Sequence, residues 1–150
     1  RGGPVSLAWL LDTNVVSEAL RPNPDPGVMA QLEAADGRMA IPSPVWHELT
    51  YGMLRLPPSR RRDTIEAFLR EFVAPVFPVL PYDDRAAAWH AAQRAALSAA
   101  GKPPPFVDGQ IAAIAAVNDL TLVTRNTKDF ERFEGLSVIR WHVDGEGRAG

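Results

Sequence analysis

The chain has no cysteine among its 150 residues. Disulfides, zinc–thiolate sites and cysteine nucleophiles are therefore excluded, and the absence fits a reducing compartment. Long apolar runs are also missing. Stretches such as Ile111 to Val117 fall far short of the ~20 residues of a membrane-spanning helix. The opening Arg1-Gly2-Gly3-Pro4 has no apolar core of a signal peptide, so the expected location is cytoplasmic, with no membrane role. Positive charge is not in excess: 16 basic residues face 18 acidic ones, for a net charge of −2. No global field then attracts nucleic acid, and any phosphate contact has to be local or carried by a bound cation. The sequence holds no G-x-S-x-G elbow and no Walker or dinucleotide-type glycine pattern. Its three histidines, His47, His90 and His142, lack H-x-x-x-H spacing and read as surface or core residues.

What remains is an ordinary globular composition, 46% hydrophobic and 23% charged, long enough for one domain with its own core. A single domain over residues 1–150 is expected, with its core at about 7–142 and flexible tails at 1–5 and 144–150. Short apolar runs at Leu7 to Leu11, Met39 to Ile41, Val76 to Leu80, Leu120 to Thr124 and Leu136 to Ile139 read as strands. Pro78 suits the third run to a sheet edge. Between them lie helical stretches: Thr13 to Leu20, Pro26 to Ala35, Ser43 to about Leu56, a helix opened by Ser59, Asp83 to Ala100 closed by Gly101, Val107 to Asn118, and a turn at Thr127 to Phe133. Ser43 is the expected cap of its helix, with Pro44 in the first turn. The Val107 to Asn118 helix is almost wholly apolar and is expected to be buried all round. This alternation predicts an α/β fold, a central parallel sheet flanked by helices.

Parallel sheets bind ligands at the carboxyl ends of their strands. Asp12 stands where the first strand ends, and Thr124-Arg125-Asn126 where the fourth does. Asp12 also suits a helix cap. Glu48 falls on the apolar stripe Val45, Leu49, Gly52, Met53 and Leu56, and a carboxylate on a core-facing stripe asks for an ion or a partner. Asp108 sits in the first turn of the most apolar helix, where the helix dipole favours the charged form that binds a hard cation. Capping alone would explain it equally. Arg60-Arg61-Arg62 is the densest basic run and reads as a solvated helix face. Arg125 and Lys128 stand closer to the acids and are the better candidates for phosphate contacts.

Four segments, in order, carry a resemblance. Leu10-Leu11-Asp12-Thr13-Asn14-Val15-Val16-Ser17-Glu18 resembles the opening motif of PIN domains, especially the VapC toxins and their FitB-like relatives. Pro42 to Leu49, with Glu48, resembles the second motif; Asp108 to Ala113 resembles the third; Leu122 to Phe130 resembles the fourth. The match runs from about Leu7 to His142. It implies a PIN-like domain with four or five parallel strands, and a Mg²⁺-dependent endoribonuclease toxin in which Mn²⁺ can substitute. It implies a cognate VapB-like antitoxin, a homodimer, a heterotetramer or larger assembly with the antitoxin, and DNA contact only through that antitoxin. Carried onto this sequence, it makes Asp12, Glu48 and Asp108 metal ligands and Asn14 and Thr124 supports of the site. The FitB-like pattern often has an acid directly after Thr-Arg, and here Asn126 stands in that place. Asp129, one turn later, is the substitute acid, and Asn126 a support.

Two other readings fit parts of the pattern. An Asp after the first strand also suits a haloacid-dehalogenase-like phosphatase, but that chemistry wants a second Asp two residues on, where Asn14 stands. A PIN module that only binds RNA or a partner protein is favoured by the missing acid at Asn126.

Overall fold

The computed structural model of the chain describes residues 6–141. The expected flexible ends at 1–5 and 144–150, and His142, lie outside the described residues. Five short strands, β1 (Trp9–Leu11), β2 (Met39–Pro42), β3 (Val79–Leu80), β4 (Thr121–Val123) and β5 (Val138–Ile139), form one sheet in the order β3-β2-β1-β4-β5. Every neighbouring pair is parallel, with Leu10 opposite Ala40 on one side and Leu122 on the other. Among the described residues seven α-helices accompany them: α1 (Thr13–Val16), α2 (Pro26–Ala34), α3 (Ser43–Leu54), α4 (Arg60–Phe68), α5 (Ala74–Val76), α6 (Asp84–Ala99) and α7 (Phe106–Val117). The core joins the inner strands to these helices: Leu10, Leu11, Ile41, Leu122 and Val123 are closed to solvent with Val45, Val73 and Ile114. That burial is the main favourable term for a chain of this size.

Because β1 pairs with β2 on one side and β4 on the other, the winding reverses at β1. The carboxyl ends of β1 and β4 open a crevice there, as parallel sheets do at a switch in strand order. Asp12 follows β1 and Thr124 follows β4, so the topology alone brings residues 112 positions apart to one edge.

Three local expectations change. Ser43 does not cap its helix. β2 runs straight into α3, Pro42 occupies the cap, and no side chain bonds the free amides there. The strand expected from Val76 begins later, at Val79, because α4 continues through a π turn at Leu69–Val73 into α5. Val73, Leu69 and Phe77 bury themselves on that path, so apolar packing holds the helix into the run that reads as extended. α7 is not buried all round either, since Phe106 and Val107 in its first turn are exposed. By contrast, β3 is the edge strand that Pro78 required, and Ser59 caps α4 through the Arg62 amide. Gly101 has φ 77° and closes α6. Its N–H reaches the Ser98 carbonyl at 2.9 Å and the Lys102 N–H reaches Leu97 at 2.8 Å, the paired bonds of a Schellman stop. That stop turns the chain toward Pro103–Pro105 and fixes where α7 begins.

Candidate active site

Asp12 leaves β1 with its backbone N–H on the Val123 carbonyl at 3.0 Å. One carboxylate oxygen, Oδ1, accepts the Thr13 amide at 2.8 Å, which caps α1. The other, Oδ2, accepts the Thr124 hydroxyl at 2.8 Å. The cap and the site are thus the same residue using different oxygens. Thr124 is buried, and its Oγ1 also accepts the Asn126 amide at 3.1 Å. Asn14 Oδ1 accepts the Arg125 amide at 3.1 Å. The two segments are therefore pinned together on both sides of Thr124, by the Thr124 hydroxyl and the Asn14 side chain.

Glu48 comes in from α3 and accepts the Thr13 hydroxyl at 2.7 Å. It does not lie on the buried stripe. Val45 and Leu49 are buried and Glu48 is exposed, because at 100° per residue it sits on the flank of the face they define. Its signal is therefore position at the crevice rather than the cost of burial. Asp108 approaches from the first turn of α7. Burial and the negative charges of Asp129, Asp12 and, more weakly, Glu48 raise its carboxyl to about 6, against an opposing pull from Arg132. Asp12 is also raised, chiefly by burial, with Glu48 and Asp129 adding to it, while the bonds from Thr124 and Thr13 favour its charge. The charges of Glu48 and Asp129 thus act through space on both Asp12 and Asp108.

Asp129 stands on the exposed 3₁₀ turn Thr127–Phe130, its amide on the Asn126 carbonyl at 3.0 Å. Its charge acts on both Asp12 and Asp108, whereas the bond recorded for Asn126 at Thr124 uses its backbone. Lys128 lies exposed on the same turn. Arg125 is placed differently from expectation. Its guanidinium is paired at 2.5 Å with Glu18, which is 2% exposed, so a neighbouring carboxylate holds the group expected to meet phosphate. Arg60 and Arg61 are exposed on α4, and Arg62 bonds the Leu56 carbonyl.

A cleft of about 770 Å³ opens beside the acids, with Glu48 and Asp108 in its wall together with Ser43, His47, Tyr51 and Gln110. The His47 and Tyr51 rings stack, one helical turn apart, at 6.1 Å and 16°.

Sequence reasoning missed two features. Glu18 is a buried carboxylate within α1's continuation, and its spacing of three from buried Val15 was the available signal. Gly109 lets α7 meet α6: a Cβ there would fall 2.1 Å from Nε2 of His90. His90 is buried, takes a bond with the Tyr82 hydroxyl at 2.8 Å through Nδ1 and packs against Phe106 with the rings tilted. Asp108 is therefore set by a close helix contact at the residue next to it.

The donor set suits a hard divalent cation. All its ligating groups are oxygens, they lie at a solvent-open crevice, and their mutual repulsion is what a cation would relieve. Among the described residues no three acidic or imidazole side chains are already gathered as a ready cage. Magnesium does not need one, because it keeps several waters and is held by one or two carboxylates.

Comparison with known proteins identifies the family. The family model for the PIN domain matches residues 9–136. The chain is 34% identical over 136 residues to Toxin FitB of Neisseria gonorrhoeae, covering 89% of this chain and 98% of that one. It is 36% identical over 137 residues to the tRNA(fMet)-specific endonuclease VapC of Shigella flexneri, covering 90% and 98%. It also superposes on a chain of the DNA-bound VapBC structure from Salmonella typhimurium with a TM-score of 0.77 at 30% identity, covering 90% and 98%. On fold, site placement and similarity together, this chain belongs to the PIN-domain family, in the group of the VapC and FitB toxins.

Proposed function

We propose that this chain is the endoribonuclease toxin of a type II toxin–antitoxin pair, hydrolysing RNA phosphodiester bonds at a Mg²⁺ site built by Asp12, Asp108 and Glu48. The observation that supports it best is the approach of acids from separate segments to the β1/β4 crevice, where Glu48 and Asp129 help raise both Asp12 and Asp108 and Asp12 also raises Asp108. A site that concentrates negative charge is unsuited to an anionic substrate unless a cation intervenes. Bound there, Mg²⁺ or Mn²⁺ supplies charge neutralisation on the phosphate and a more acidic water.

The chain's own residues do the rest. Thr124 and the Thr13 amide hold Asp12 in one orientation. Thr13 does the same for Glu48. Asp129, the solvent-facing acid, accepts a hydrogen bond from the attacking water and orients it toward phosphorus, with the Asn126 amide beside it. Asn14 keeps the loop of Asn126 in place by holding the Arg125 amide. Lys128 is the local cation for an RNA phosphate. Purified chain should cleave RNA in Mg²⁺ and stop in EDTA, and Asp12→Asn should be inactive with its fold intact. Full activity of that variant would overturn the assignment.

The same reading gives the chain a VapB-like antitoxin that blocks the crevice, a homodimer as the basic unit, a heterotetramer or larger complex with the antitoxin, DNA contact only through it, and a cytoplasmic location. No described helix is long and apolar enough to cross a membrane. The exposed Tyr51, Leu54, Phe106 and Val107 supply apolar surface of the kind that protein partners cover.

Asn126, where an acid is expected, supports one other reading: a PIN module that binds without cutting. Calorimetric titration with Mn²⁺ beside a cleavage assay separates the two, since the inert module would bind no metal at millimolar concentration.

A further inference from the structure

We propose that Glu18 is a positioning residue, which acts through Arg125 to set the Asn126–Asp129 segment against Asp12. The inference rests on the nuclease reading above and assigns a task to a carboxylate that the chemistry itself does not use.

Glu18 is 2% exposed, in the 3₁₀ turn Ser17–Leu20 that continues α1. Each oxygen is engaged. Oε1 takes the Arg125 guanidinium at 2.5 Å, with Arg21 farther off at 3.6 Å, and Oε2 takes the Asp25 amide at 2.7 Å. Glu18 thereby ties together three segments: the turn after Asp12, the N-cap of α2, and the loop after β4. A buried ion pair adds little net stability, because desolvation offsets the attraction, and an apolar pair of similar volume does as well. What it adds is registry. Arg125 stands between Thr124, which bonds Asp12, and Asn126, whose carbonyl holds the Asp129 amide. Its own amide is held by Asn14 and its carbonyl by the Arg140 guanidinium at 2.6 Å. With backbone and side chain both fixed, the loop cannot slide along β1, and the fourth acid keeps its place relative to the other three. Neutralising Glu18 frees the guanidinium and leaves the loop held by its backbone bonds alone. Small misplacements of a reacting group cost large factors in rate.

The test uses the full chain carrying Glu18→Gln, with Arg125→Lys as a second variant should the first fail to fold. A core control, Val73→Ala, lies outside the crevice and lowers stability without touching the loop. Three readouts are taken: protection of the Arg125 amide from hydrogen exchange in metal-free protein, Mn²⁺ affinity, and kcat and KM on single-stranded RNA. Glu18→Gln is expected to lose amide protection, to weaken Mn²⁺ binding several-fold and to lower kcat by about tenfold or more, with KM changed by less than about twofold. Val73→Ala is expected to leave all three near wild type below its melting temperature. Wild-type Mn²⁺ affinity and kcat in Glu18→Gln would overturn the proposal and leave the pair a purely structural one. A raised KM with a shallower salt dependence and intact kcat in Arg125→Lys would overturn it in favour of a direct phosphate contact. Failure of the wild-type chain to bind Mn²⁺ or cleave RNA would instead overturn the functional reading beneath it.

Discussion

Asp108→Asn is expected to make the metal-free protein more stable while destroying its activity. Burial, then the charges of Asp129 and Asp12, lift the Asp108 carboxyl from 3.8 to about 6 in the folded chain. The folded value lies above the unfolded one, so ionising Asp108 weakens the fold. The penalty is absent below about pH 4, grows as the pH rises toward 6, and is complete above that. A shift of this size corresponds to at most roughly 3 kcal/mol. The side chain is only partly buried, and solvent screening reduces the figure to about 1 kcal/mol. Neutralising it should raise the melting temperature in EDTA by about 2–4 °C at pH 7.5 for a chain of this length, and by nothing measurable at pH 4. No hydrogen bond from the Asp108 side chain to another described residue stands against the gain. Differential scanning calorimetry at the two pH values reads the first half of the expectation, and RNA cleavage at pH 7.5 reads the second. An unchanged or lower melting temperature at pH 7.5, or an equal gain at both, would refute the electrostatic account of the cluster.

Magnesium should replace what that mutation removes. For a dissociation constant on the order of 1 mM, 10 mM Mg²⁺ adds about 1.4 kcal/mol to the wild type, seen as a rise in melting temperature that Asp12→Asn and Asp108→Asn do not show. Gly109→Ala should lower stability by about 1–3 kcal/mol, because the new Cβ meets His90 Nε2 at 2.1 Å, and cleavage should fall with it as Asp108 moves; denaturant unfolding reads the first effect, and a smaller loss in Gly109→Ala combined with His90→Ala locates the clash. Lys128→Glu should weaken RNA binding and reduce the slope of log affinity against log salt by roughly one phosphate contact. The same reversal at Arg61 should leave that slope unchanged, as expected for a solvated helix face.

Much of this site is legible in the sequence because its acids sit at points that topology controls. Asp12 ends a strand and caps the helix after it, and the alternation of strands and helices already places that point beside Thr124. Asp108 in the first turn of an apolar helix follows the same logic. Glu48 was legible for the wrong reason: its stripe suggested burial, whereas it flanks that stripe and faces the crevice. Side-chain competition was not legible at all. Nothing in Thr124-Arg125-Asn126 says that the arginine will turn to a glutamate 107 residues earlier rather than to solvent. The Gly109–His90 contact was hidden too, because a glycine inside a helix signals a close approach without naming what approaches. The π turn that delayed β3 reflects tertiary packing of Leu69, Val73 and Phe77 overriding the strand-like apolar run that begins at Val76.

The central claim is that Asp12, Glu48 and Asp108 form one cation site, with the charge of Asp129 acting on it. A Mn²⁺ titration by calorimetry, repeated on Asp12→Asn, Glu48→Gln, Asp108→Asn and Asp129→Asn, tests it directly. The expected result is a wild-type binding event that each substitution weakens, with the largest losses at Asp12 and Asp108. Wild-type protein that takes up no Mn²⁺ at millimolar concentration, or binding that survives all four substitutions, would contradict it.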